Sequence, residues 1–98
     1  MAEPKFCLGR IVATPGVIEA MREAGQIPEH FLNLHASGAW GDLDNDDRKA
    51  NESAIAHEGD TKRQSRVVSS YRTRNNVKLW VITEADRSVT TLLLPEEY

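Results

Sequence analysis

The alternating carboxylates Asp42, Asp44 and Asp46 are the first residues in this sequence with chemistry to test, because that spacing lines a calcium loop. Such a loop also needs Gly at its sixth position and Glu at its twelfth, where Asp47 and Ser53 stand here. Helix capping plus solvated charge is therefore the expected role. His30 and His35 are five residues apart, not at the i, i+4 spacing that sets two metal ligands on one helical face. Cys7 is the single cysteine, which leaves no intramolecular disulfide and no paired-cysteine zinc site. It stands among apolar neighbours and is expected to behave as a small hydrophobe. No metal and no other cofactor is expected.

Acid–base chemistry without a metal is the enzymatic alternative. A helical layer followed by an antiparallel sheet is the general architecture of compact toxin-type ribonucleases. His35 would then be the general base, with Arg72, Arg74 and Arg87 near the phosphate and Thr90 or Tyr71 assisting.

A binding protein needs no such set. Its candidates are residues expected to be exposed: Trp40, Asp42, Asp44, Asp46 and Asp47 as one patch, and Glu84, Asp86 and Arg87 as another. The turn at 83–88 needs only Asp or Ser, yet it presents Glu, Asp and Arg together. Segment 62–78 carries six bases and Tyr71 and leads to Trp80, the cations and aromatics that suit single-stranded nucleic acid. Trp80 lies in the most apolar stretch, however, where a core position is expected. Nucleic acid is not the favoured partner.

These residues must be positioned by few elements, since 98 residues fit one domain with one small core. Residues 5–13 read as a strand with apolar groups on both faces, in which Gly9 marks a bulge or a close backbone approach. Thr14-Pro15 starts a helix whose Val17, Ile18, Met21 and Ala24 share a face, and Gly25 stops it. Pro28 opens a second helix with Phe31, Leu32 and His35 on one side, ended by Ser37-Gly38. Asp44 caps a third, with Leu43, Asp47, Ala50, Ala54 and His57 on one face and Gly59 closing it. Beyond the polar loop at 60–66 the period switches to alternation. Strands are expected at 67–71, 77–83 and 88–94, joined by turns at Asn75-Asn76 and 84–87. The expected fold is α+β: an N-terminal strand, two or three short helices, then a three-stranded antiparallel meander, forming one sheet with helices on one face.

Charge is uneven along the chain. The sum is −3, but residues 29–60 carry eight acids and two bases, and residues 60–78 carry six bases and one acid. Such asymmetry marks either two binding surfaces or one face that docks onto the other. No stretch approaches the ~20 apolar residues that span a bilayer, and the N-terminus lacks a signal-peptide pattern, so a cytoplasmic protein is expected.

Three stretches, GRIVATPGVIEAM (9–21), HASGAWGDLDNDDRKANE (35–52) and WVITEADRSVTTLLLPEEY (80–98), resemble a family of small uncharacterised proteins of bacterial plasmids and phages. Its members are often labelled plasmid-related or type I restriction–modification subunits. The Asn/Asp-Pro-Pro-aromatic motif of a methylating subunit is absent from the sequence. The resemblance carries over no catalytic residue. It implies a context, in which small acidic proteins of mobile elements bind host machinery such as restriction or CRISPR effectors. A non-enzymatic binding protein with a protein partner is thus the first expectation. A domain that forms a homodimer through a sheet edge is the third reading, after the ribonuclease.

Overall fold

Seven elements arise in chain order in the computed structural model, which describes residues 4–60 and 65–98. They are β1 (Arg10–Ala13), α1 (Pro15–Glu23), α2 (Pro28–Ala36), α3 (Asn45–Ala56), β2 (Val67–Arg72), β3 (Lys78–Thr83) and β4 (Val89–Leu93), followed by a 3₁₀ turn at Pro95–Glu97. The helix starts follow the local chemistry. Thr14 Oγ1 accepts from Val17 N at 3.4 Å with Pro15 in the first turn, and Asp44 Oδ1 accepts from Asp47 N at 2.8 Å. Gly25 closes α1 in the left-handed region at φ 67°.

The meander β2–β3–β4 forms as expected, but the sheet has four strands and is mixed. Its order is β1-β4-β3-β2, with β1 parallel to β4. Arg10 N donates to Ser88 O at 2.9 Å and Thr14 N to Leu92 O at 3.0 Å, so β1 satisfies what would otherwise be the bare edge of β4.

The N-terminal strand is also shorter than the expected 5–13. At Gly9, φ is +66°, and a Cβ there would lie 2.4 Å from Arg87 O. The chain turns at this close approach. Residues before it cross to the end of α2, where Lys5 N donates to Ala36 O at 2.8 Å. Phe6 is buried, whereas Cys7 is exposed rather than a core residue.

Helices α1 and α2 cover one face of the sheet. Val17, Met21, Phe31 and Leu32 pack there with Tyr71, Leu79, Val81 and Leu92. A second cluster joins Phe6, Trp40, Ala54 and Val67. Helix α3 does not join that layer in full. It contacts the sheet through β2 and buries only Asn51 and Ala54, not the broader face the spacing suggests. The side-chain amide of Asn51 takes the place of a neighbouring strand: Nδ2 donates to Val68 O at 2.7 Å and Oδ1 accepts from Val68 N at 3.0 Å. One pair further along, Ser70 N donates to Trp40 O at 3.1 Å and Asp42 N to Ser70 O at 2.7 Å. The middle of the outer edge of β2 is thereby occupied.

Candidate functional site

The alternation of β2 and β3 turns Val68, Ser70, Trp80 and Ile82 away from the α1–α2 layer. Ladder pairing sets Ser70 beside Trp80 and Val68 beside Ile82. These four side chains floor a groove of about 610 Å³. One wall is the segment that leads into α3, with Asp42, Leu43, Asp44 and Asp47; the other is Tyr98. Arg66 and Lys78 also line it. A space of this size, with apolar residues on its floor and charged residues on its walls, is large enough to seat a ligand segment.

Each wall is fixed by the chain's own bonds. Arg48 reaches back to Gly41 O at 2.6 Å and Leu43 O at 3.0 Å, holding the loop before α3. Glu97 secures the tail: its carboxylate accepts from Thr14 Oγ1, from Gly16 N at 3.0 Å and from Leu94 N at 3.0 Å. Those bonds, led by the Thr14 hydroxyl, hold the Glu97 carboxyl below the usual carboxylate range. Tyr98 then stands edge-on to Trp80, ring centroids 5.8 Å apart, and its hydroxyl accepts from Arg66 Nη1 at 2.8 Å.

Electrostatically the groove is mixed. Arg72 pairs with Asp42 at 3.2 Å and Arg66 with Glu84 at 3.2 Å. Among the described residues, the side chains of Asp47 and Lys78 have no ion-pair partner. On the floor, the Ser70 hydroxyl is buried without a hydrogen-bond partner among the described residues. A buried hydroxyl in that state is an unmet demand for a polar neighbour.

The structure regroups the expected site residues. Asp42, Asp44 and Asp47 line the groove and Asp46 is exposed beside them in the first turn of α3. Trp40 is not part of that surface. It is 2% exposed, packed against Phe6 and His35, with Nε1 donating to Glu52 Oε1 at 3.0 Å. Arg87 likewise is buried rather than displayed. Its guanidinium binds Glu58 at 2.9 Å and donates to the carbonyls of Ser65 and Glu84, which ties the end of α3 to the β3–β4 turn. Asp86 serves that turn, since Ser88 Oγ and Ser88 N both donate to it and lower its carboxyl pKa. The second expected patch, Glu84, Asp86 and Arg87, is thus engaged in local bonds. Of the basic loop, Lys62 and Arg63 lie outside the described residues.

His35 has no contact with solvent. Thr90 Oγ1 donates to Leu8 O at 2.6 Å, so its bond with Thr83 Oγ1 at 2.7 Å must use the Thr83 proton. Thr83 therefore accepts from His35 Nε2 at 2.9 Å, and His35 Nδ1 accepts from Ser69 Oγ at 2.5 Å. The imidazole is neutral and in the Nε2–H form. Burial first, and the Arg87 charge second, lower its pKa to about 3. Arg74 caps the end of α1 through Ala24 O at 3.1 Å, and Arg72 is held at Asp42. His35, Arg72, Arg74 and Arg87 share no open surface, and the geometry lends no support to a ribonuclease centre. Thr90 and Tyr71 are buried too, the Tyr71 phenol pushed up to about 12 by its burial.

Sequence reasoning missed Trp80, Ser70 and Tyr98 as groove residues and Asn51 as the edge clasp. Alternation signals that Trp80 and Ile82 share a face; it carries no sign of which face the helices cover. Among the described residues, no helix is long and apolar enough to cross a membrane. No family model, curated protein or solved structure matches this chain.

Proposed function

We propose that the protein is a non-enzymatic binding protein that seats a segment of a protein partner in the groove beside α3. The observation that carries this reading is the groove itself: an apolar floor of Val68, Trp80 and Ile82 under a wall of carboxylates. The complementary segment is apolar with basic side chains, the apolar part over Trp80 and a cation toward Asp47, whose carboxylate has no ion pair among the described residues. An aromatic face beside carboxylates favours such a cation. The family resemblance supplies the setting, a mobile element whose product binds host machinery, such as a restriction or CRISPR effector, in the cytoplasm. Single-stranded nucleic acid fits less well, because Arg66 and Arg72 are already paired with Glu84 and Asp42.

The test is affinity capture from host extract with the wild type and two variants. The triple variant D44N/D46N/D47N removes the charge while a side-chain amide at position 44 still caps α3, and Trp80→Ala removes the floor. A partner retained by the wild type is lost from both. Undiminished capture by both variants overturns the reading, as does saturable quenching of Trp80 fluorescence by a single-stranded oligonucleotide with no protein captured.

A further inference from the structure

The two edges of the sheet are treated differently. On β2 the outer groups of Val68 and Ser70 are taken up by Asn51 and by the 40–42 segment, which blocks the middle of that edge to another strand. At the other edge, β1 bonds β4 through the backbone of Arg10, Val12 and Thr14, as the parallel register requires. The N–H and C=O groups of Ile11 and Ala13 point outward, with no partner among the described residues. Ile11 and Val12 are 42% and 36% exposed, although they are the large apolar side chains of the strand.

We propose that β1 is a self-association surface: two copies pair antiparallel through β1 about a twofold axis at Val12, joining their four-stranded sheets into one. The occupant is fixed by the geometry of the strand. A twofold at Val12 sets Ile11 opposite Ala13 of the second copy and Ala13 opposite its Ile11. All the outward groups of both strands are then used in four hydrogen bonds. A twofold at Ile11 would pair Ala13 with Gly9, which is left-handed at φ 66° and not strand. A twofold at Ala13 would pair Ile11 with Pro15, which has no N–H and begins a helix.

Charge agrees with the same register. Arg10 falls opposite Thr14 of the second copy, and it is Thr14 Oγ1 that donates to the Glu97 carboxylate. Each Arg10 thus meets a carboxylate, and no like charges are opposed. The axis itself is apolar, Val12 against Val12. With four hydrogen bonds and a small area, the dimer is weak and concentration dependent.

Light scattering on the intact protein over a rising concentration series tests this, with each variant first shown to be folded by circular dichroism and its melting temperature. The wild type moves from 11.0 kDa toward twice that mass. Val12→Lys puts two ammonium groups face to face on the axis and holds the protein at the monomer mass. Arg10→Glu, which sets a carboxylate against Glu97, weakens association at least tenfold at low salt. Ile27→Lys removes a more exposed apolar side chain, at 59%, from outside β1 and leaves the dimer unchanged. A wild type that stays at 11.0 kDa up to millimolar concentration overturns the proposal. So does a dimer that survives Val12→Lys, or one that Ile27→Lys abolishes equally.

Discussion

The proton held by Thr90 fixes the tautomer of His35, a residue deep in the molecule, and the burial of that ring sets how the fold responds to acid. With a folded pKa of about 3 against 6.5 for the free side chain, His35 binds a proton far more readily once the chain unfolds. The unfolded state therefore gains protons first as pH falls. The stability that His35 confers is complete above about pH 6.5 and drains away toward pH 3, a total of roughly 5 kcal/mol. Against a typical stability of about 5–15 kcal/mol this is a large share, but it is lost in full only as pH nears 3. Urea unfolding at a series of pH values should show stability dropping by about 1.4 kcal/mol per unit below pH 6. His35→Gln, which costs about 2 kcal/mol at neutral pH by imperfect bonding, should flatten that slope between pH 6 and 5. An equal slope in the variant would show that other groups titrate there. None of this can be read from the sequence, where His35 on a helical face serves as well for a base as for a core residue. The groups that decide it, Ser69 and Thr83, lie 34 and 48 residues away.

At the scale of elements, local signals serve where the interactions are local. Thr14-Pro15, Pro28 and Asp44 mark the three helix starts because caps act within a few residues, and the alternation of 67–94 marks the meander. The expected strand at 5–13 is too long because its end is set by the approach of Gly9 to Arg87, a contact between residues far apart in the chain. Asn51 is the sharpest case. A polar residue in an acidic helix looks like solvent surface, yet it is the clasp that joins α3 to β2. Asn51→Ala strands both Val68 groups and should cost about 3 kcal/mol in denaturant unfolding. Asn51→Asp should cost no less, because a carboxylate oxygen then faces Val68 O in place of a donor. If Asn51→Asp proves milder than Asn51→Ala, the donor half of the clasp contributes little.

Across the whole molecule, the opposed charge segments meet in the ion pair of Asp42 with Arg72. Glu58 of the acidic stretch pairs with Arg87, and Arg66 of the basic stretch with Glu84, both partners lying outside those segments. The carboxylates of Asp44, Asp46 and Asp47 stay exposed where α3 begins, beside the groove. The same closure brings the last residue onto the sheet: Glu97 is held at the start of α1, and Tyr98 stands on Trp80 as a groove wall. The tail is thus a structural member, and its removal should be read at Trp80 alone, since Trp40 is buried in the core. Tyr98→Ala should shift tryptophan emission to the red and raise its quenching by acrylamide, with only a small drop in melting temperature. Partner binding by that variant should weaken less than in Trp80→Ala, because the floor and the carboxylate wall persist. Unchanged emission would mean that Tyr98 does not cover Trp80 in solution, and the groove would then be a shallow sheet face with a single wall.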